Sequence, residues 1–286
     1  MFGRRADGRK VKNASLLFRV VPHIMNTRVD SQVYFSQDIP LKGMDEYISK
    51  KAEEGIKLSY MNIVYAAIVK TIAIKPELNR FIVNSIPYER DGIWISLMVK
   101  KSMTDEGEEA LVKLRFDGTE SIFEIKDKLE SAIAENKAEG SENNTEKFVK
   151  KLEKTPNLIL KIIISFIKFL DRYGLLPKSL IALSPFHTSA FLTNVGSLGI
   201  DAIYHHIYNF GTTSLFFAMG KKKKDYVPED DEIVEEKCLQ IAFVGDERIC
   251  DGFYYANSFK QFVRFIKKPE LMENKNAEEQ KNEVGN

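Results

Sequence analysis

Residues 59–76 read SYMNIVYAAIVKTIAIKP, and at helical spacing their apolar side chains run round most of the circumference. The run stops at the residue before Pro76, where the α conformation is disfavoured. A helix that is hydrophobic nearly all round is stable only when other elements cover it. The segment therefore predicts a central helix inside a layered domain. The 286 residues, 44% of them hydrophobic, suffice for one large domain or two small ones, and no stretch reads as an interdomain linker.

Strand-like and helix-like patterns alternate around this segment without a detectable repeat, as in a mixed α/β sheet with helices packed on it. SQVYFSQDI alternates as a strand, and GMDEYISKKAEEG has helical spacing closed by Gly55. FIVNSIPYERDGIWISLMV places apolar runs on either side of Asp91-Gly92 and reads as a hairpin turning there. LVKLRF is a further strand. After Asp117-Gly118 a helix capped by Thr119 or Ser121 should end near Gly140, followed by the polar loop SENNTEK. Next come the strand SAFLTN, a glycine-punctuated loop to Gly211 and the strand SLFFAMG. The run Lys221 to Lys224 with PEDDE reads as a solvated hairpin connection to the strand CLQIAFV, and FYYANSFKQFVRFIKK as a helix. Residues 1–12 are expected to form a basic arm, 13–268 one domain, and 269–286 a polar, disordered tail.

Lys+Arg number 42 against 41 Asp+Glu, so the charge gives no sign of a nucleic-acid partner. The two cysteines, Cys238 and Cys250, make neither a disulfide framework nor a zinc site, and the basic N-terminus has no apolar core of the secretory kind. A cytoplasmic location is the expectation.

The most hydrophobic stretch, NLILKIIISFIKFLDRYGLLP, is broken by Lys161, Lys168, Asp171 and Arg172 and falls short of the roughly 20 apolar residues that cross a bilayer. Helical spacing puts Lys154, just ahead of an apolar helix at 156–172, in one narrow polar stripe with Lys161, Ser165, Lys168 and Arg172. The expectation is a core helix. The alternative is a helix lying on a bilayer surface or lining a tunnel for a hydrophobic substrate.

The run GDERICDGFYY, at 245–255, ends the strand CLQIAFV and opens the next helix. Residues 239–266 resemble the C-terminal signature of chloramphenicol acetyltransferases and of the catalytic domains of 2-oxoacid dehydrogenase acyltransferases. Those families share a fold and carry HxxxDG at this point. Here the positions are Glu247, Arg248, Ile249, Cys250, Asp251 and Gly252. CDGF is similar to the antibiotic-acetylating branch and DxRxxDG to the dehydrogenase branch. FLTNVGSLG resembles the dehydrogenase-branch segment in which a hydroxyl steadies the oxyanion, with Thr193 at that position and Asn194 beside it. With the N-terminal strand and helices the resemblance spans about residues 13–268.

What the resemblance implies is a chloramphenicol acetyltransferase-like two-layer α/β sandwich, assembled as a homotrimer with active sites between subunits. It also implies acyl-coenzyme A as co-substrate, a small-molecule acceptor, and no metal. Asp251 and Gly252 would organise the loop, with Arg19 as the arginine partner of Asp251. A complete dehydrogenase acyltransferase carries lipoyl and subunit-binding domains ahead of the catalytic one, for which 286 residues leave no room. No lipoyl domain is expected, nor a role as the core of such a complex.

The histidine of these families takes a proton from the attacking hydroxyl or thiol. With reference pKa values of about 6.5 for His, 4.3 for Glu and 8.5 for a thiol, uphill transfer costs roughly 3 kcal/mol to His and about 6 to Glu. Asp246 and Asp251 would strengthen Glu247 as a base, and Arg248 would weaken it. A relocated base is a second possibility: YHHIY places His205 and His206 in the loop after Thr193, and at most one of two adjacent extended residues faces a given side. Glu247 would then orient the imidazole as the carboxylate of a triad does. A metal at Asp246, Glu247 and Asp251 has no precedent in these families. The bland alternative is that Glu247 pairs with a nearby arginine in a catalytically silent trimer that serves as a scaffold or binds coenzyme A or a partner.

Overall fold

A computed structural model describes residues 5–100, 109–137, 150, 153, 155–229 and 232–274. In chain order it contains β1 (Gly8–Lys10), α1 (Leu16–Ile24), β2 (Gln32–Pro40), α2 (Lys42–Glu53), α3 (Tyr60–Ile74), β3 (Arg80–Val83), β4 (Ile86–Arg90), β5 (Ile93–Lys100) and β6 (Glu109–Phe116). There follow α4 (Ile122–Lys137), α5 (Asn157–Arg172), α6 (Lys178–Leu183), β7 (Ala190–Asn194), β8 (Leu215–Glu229), β9 (Glu232–Asp246) and α7 (Gly252–Lys267).

The apolar segment is α3. It starts at a capping box in which Ser59 Oγ accepts from the Asn62 amide while Asn62 Oδ1 accepts from that of Ser59. It is buried along nearly its whole length, between α4 and α7 and against the main sheet. Even Lys70 is fully buried; its Nζ donates to the Asn274 carbonyl at 3.2 Å. The main sheet has the order β2-β9-β8-β7-β5-β6, with β7 parallel to both β5 and β8 and the remaining pairs antiparallel. Its helix-side core includes Leu192, Phe217, Ile241 and Phe243, while Phe191, Phe216 and Val244 face the other way under the loop carrying Ile207.

Several expectations are corrected. Asp91-Gly92 does not close a hairpin: β4 pairs with β3 and β1 in a separate three-stranded sheet, and β5 pairs with β6 and β7. The tight turn is Asn84-Ser85, both left-handed at φ 50 and 58, which matches strand twist at the cost of two non-glycine residues in that region. Gly92, at φ 76, passes the chain from one sheet to the other. The arm expected at 1–12 joins the fold from Arg5 onward: residues 8–10 extend the small sheet, and Arg5 and Asp7 are buried. Lys221 to Lys224 lie within β8 rather than in a turn. Lys223 reaches Asp38 at 2.7 Å, Lys224 reaches Glu235 at 2.7 Å, and Lys222 sits over the Tyr60 ring. The start of the tail also packs, with Met272 fully buried and Glu273 3.1 Å from Lys51. Ser121 is the cap of α4, exchanging bonds with Glu124. The end of that helix near Gly140, the SENNTEK loop, Lys154, part of PEDDE and residues 275–286 lie outside the described residues.

α5 is not a core helix within this chain. Asp171 is its sole buried residue, and Leu158, Ile162, Phe166 and Phe169 are exposed. Its end is fastened by charge: Arg5 Nη2 donates to Asp171 Oδ1 at 2.7 Å and its Nη1 to the Asp171 carbonyl at 2.6 Å, while the Arg5 guanidinium also holds Asp7. His187 Nε2 stands 3.1 Å from Asp171 Oδ1, and His187 Nδ1 2.7 Å from Ser184 Oγ.

Candidate active site

The GDERICDGFYY run leaves the end of β9 as a locked loop. Asp246 is fully buried, and its carboxylate accepts from Arg248 Nε at 2.8 Å, Arg248 Nη2 at 2.7 Å, the Arg248 amide at 3.1 Å and Ser31 Oγ at 3.0 Å. Such a two-pronged fork fixes orientation as well as charge. Arg248 Nη1 donates on to the Met25 carbonyl at 3.0 Å, and the Tyr255 hydroxyl to the Asp246 carbonyl at 2.7 Å. Arg28 Nε lies 4.0 Å from Asp246. Burial draws the Arg28 guanidinium down to about 10; Asp246 opposes that and Arg248 adds to it.

Glu247 sits in this frame half-buried, its amide donating to the Ser31 carbonyl at 2.9 Å. Among the described residues no hydrogen bond or ion pair reaches its carboxylate, and the adjacent arginine is committed to Asp246. Among the described residues, then, Glu247 pairs with no arginine. Asp251 is exposed and caps α7, accepting the Tyr254 amide at 2.7 Å. Arg19, on α1, is exposed and is not among the described partners of Asp251; the arginine that holds the loop is Arg248, acting on Asp246. Gly252 has no neighbour within 4 Å of where a Cβ would stand, so nothing in this chain demands glycine there. Cys250 is fully buried, and burial pushes its thiol up, which removes it as a nucleophile.

Thr193 is half-buried near the end of β7. Side chains alternate along a strand, so Thr193 shares the face of Phe191, opposite Leu192. Asn194 closes the turn that follows, its Oδ1 accepting the Ser197 amide at 3.3 Å. Gly196 is needed for close approach, since a Cβ there would stand 2.2 Å from the Gly220 carbonyl oxygen.

Strand register separates Thr193 from Glu247. Ala190 of β7 lies beside Leu215 of β8, which lies opposite Gly245 of β9. From that row Thr193 is further along β7, beside Ala218, whereas Glu247 lies beyond Gly245 in the other direction. At about 3.3 Å per residue and about 4.8 Å per strand, their Cα atoms are on the order of 20 Å apart. The chain alone does not bring them together.

His205 is on the side of the sheet that carries Thr193. Its ring stacks on Phe216 at 4.1 Å and 5°, and its Nδ1 is 2.8 Å from the His206 carbonyl. A carbonyl only accepts, so Nδ1 carries the proton and Nε2 is the basic nitrogen of the neutral ring. Burial lowers the pKa of His205 from its ordinary value. His206 is exposed and stacks on His205. The described contacts of both rings are aromatic or to backbone, and none is to Glu247. Among the described residues no group of His, Cys, Asp and Glu is arranged to hold a metal ion.

Sequence reasoning treated Arg248 as a perturbation of Glu247 and missed its role as the lock. The signal was present in the DxR spacing. The pairing of His187 with Asp171 has no sequence signal, because only the fold brings the two together.

Sheet order and helix layer are those of the chloramphenicol acetyltransferase-like fold. Residues 185–273 match the sequence profile of the family 2-oxoacid dehydrogenases acyltransferase (catalytic domain). Among solved structures, the cubic core of the pyruvate dehydrogenase multienzyme complex superposes with a TM-score of 0.58 at 12% identity, covering 92% of this chain and 94% of that one. Dihydrolipoamide acetyltransferase from Azotobacter vinelandii, studied for the role of a serine, a histidine and an asparagine in its catalytic mechanism, gives 0.54 at 12%, covering 92% and 94%. A chloramphenicol acetyltransferase gives 0.53 at 11%, covering 91% and 99%. At these identities the structural likeness concerns the fold. No curated protein sequence matches the chain.

Proposed function

We propose that the protein transfers an acyl group from acyl-coenzyme A to a hydroxyl, amine or thiol acceptor, working as a homotrimer whose sites form between copies. One observation carries this reading. Thr193 and Glu247 fill the two functional positions of the signature, yet lie on the order of 20 Å apart in one chain. A site that uses both must draw them from two copies, and a closed ring of copies satisfies this at every interface. Gly252, exposed and with nothing within 4 Å of where a Cβ would stand, fits a loop approached by something outside the chain.

Thr193 donates to the oxyanion of the tetrahedral intermediate. Glu247 takes the acceptor's proton, held in place by the Asp246–Arg248 fork and the Asp251 cap. A second reading has one specific observation behind it. His205 stacks on Phe216, which lies beside Phe191, two residues from Thr193 on the same face. With Nε2 basic and the ring neutral, His205 would serve as base without Glu247.

Thiol release from acetyl- and longer acyl-coenzyme A, with water taking the acyl group as the carboxylic acid where no other acceptor is supplied, tests both readings. Loss of turnover in Glu247→Ala supports the first, and loss in His205→Ala with Glu247→Ala active supports the second. Thermal stabilisation by coenzyme A with no turnover of any donor would replace both by a noncatalytic scaffold.

A further inference from the structure

α5 has three faces. Leu160, Ile163, Ile167 and Leu170 are half-buried and Asp171 is buried, on the side toward the protein. Lys161, Lys168 and Arg172 lie along one exposed edge. Beside them runs a strip of Leu158, Ile162, Phe166, Phe169 and Tyr173, at 72% exposure for Leu158 and 60% for Phe166. α1 repeats the arrangement, with Leu16 at 74%, Val20 and Ile24 exposed beside Arg19 and His23.

The two helices end at one turn. Ser85 Oγ donates to the Pro22 carbonyl of α1 at 2.9 Å, and Arg172 Nε of α5 donates to Asn84 Oδ1 at 3.2 Å. Arg28, Lys168, Arg172 and Arg248 line a cleft of about 500 Å³ beside that turn. Of its acids, Asp171 is held by Arg5, and Asp246 behind the wall by Arg248. Neither helix carries an exposed acidic side chain.

We propose that α1 and α5 form a docking surface for a bilayer containing anionic phospholipid. An apolar strip bordered by cations is the pattern of a helix lying in the plane of the headgroups, with leucine and phenylalanine in the acyl boundary and Lys and Arg at the phosphates. Sixteen residues make a helix of about 24 Å, shorter than the roughly 30 Å hydrocarbon core, so it lies on the surface rather than across it. The cationic border distinguishes this occupant from a two-fold pairing of the strip with itself. A symmetric contact of the strip with itself would bring the same lysines and arginines together with no acid to face them.

The test is flotation of the full chain with vesicles of phosphatidylcholine alone and of phosphatidylcholine with phosphatidylglycerol. Binding is expected only to the anionic vesicles, weakening with salt. Changing Lys161, Lys168 and Arg172 together to Gln should reduce partitioning roughly 100-fold, each base near such a surface being worth about fivefold. Phe166→Glu with Phe169→Glu should abolish it at unchanged melting temperature. As a direct probe, Phe166→Cys gives the one accessible thiol among the described residues, the native Cys238 and Cys250 being buried. A polarity-sensitive dye there should shift to the blue when anionic vesicles are added. Absence of flotation, flotation undiminished by the Phe166 and Phe169 changes, or a blue shift that follows protein concentration without vesicles would each overturn the proposal. The last would assign the strip to a second copy.

Discussion

Replacing Glu247 by histidine restores the side chain that the signature carries elsewhere, and the structure allows its effect to be estimated. The Glu247 amide is held by the Ser31 carbonyl, and the residues on either side of it are locked to one another. The carboxylate makes no hydrogen bond among the described residues, so the exchange breaks no observed interaction. What changes is the strength of the base. Between reference values of about 4.3 and 6.5 the proton transfer becomes about 3 kcal/mol less uphill, a ceiling of roughly 100-fold in rate, or about tenfold for a half-developed transfer. The assay is initial-rate thiol release from acyl-coenzyme A at neutral pH, with Glu247→Ala as control. An increase in kcat for Glu247→His and a loss for Glu247→Ala are expected. A rate unmoved by either substitution would refute the assignment of this position as base and shift it to His205.

Further outcomes follow from the buried charges and glycines. Asp246→Ala leaves Arg248 buried without its partner and should destabilise the fold by about 3 kcal/mol or more, measured by urea denaturation; a change within about 0.5 kcal/mol would contradict the lock. For Asp171, burial alone would raise the pKa from 3.8, but His187 and Arg5 hold it at about 2. A depressed carboxyl stabilises above its unfolded pKa and loses that contribution as pH falls through the folded one, so about 2 kcal/mol should disappear between pH 3.8 and about 2. His187 is pushed down by burial against the pull of Asp171, so the unfolded chain takes up the proton first and stability begins to fall below pH 6.5. The melting temperature should therefore drop on acidification below pH 6.5, and His187→Gln should remove that upper step; a flat profile in the parent would refute the burial argument. Gly196→Ala should fail to fold or melt far lower, because the added methyl meets the Gly220 backbone, whereas Gly252→Ala should leave the melting temperature of the isolated chain unchanged.

Where local pattern decided structure, the sequence was readable. α3 followed from its apolar circumference, and the C-terminal signature located the loop between β9 and α7. Where long-range pairing decided it, pattern failed. Asp91-Gly92 is the better hairpin dipeptide by composition, yet the chain turns at Asn84-Ser85 because β4 finds β1, a strand contributed by residues that read only as basic. Arg5 and Asp171 are 166 positions apart, and no local rule connects them. The periodicity of α5 showed that it needs covering but could not say whether by this chain, another or lipid. The alternation along β7 placed Thr193 on one face, while its distance from Glu247 depends on the register of three strands, which the sequence does not display.

Subunit complementation measures most directly whether the site is shared between copies. Glu247→Ala and Thr193→Ala chains, each inactive alone, are unfolded together in equal amounts, refolded as mixed oligomers, and assayed for thiol release. If Thr193 comes from one copy and Glu247 from its neighbour, about a quarter of the interfaces pair two intact residues, and about a quarter of the parental activity should return. Mixtures that stay inactive while parental chains carried through the same procedure recover would show that the two residues do not act across an interface between copies.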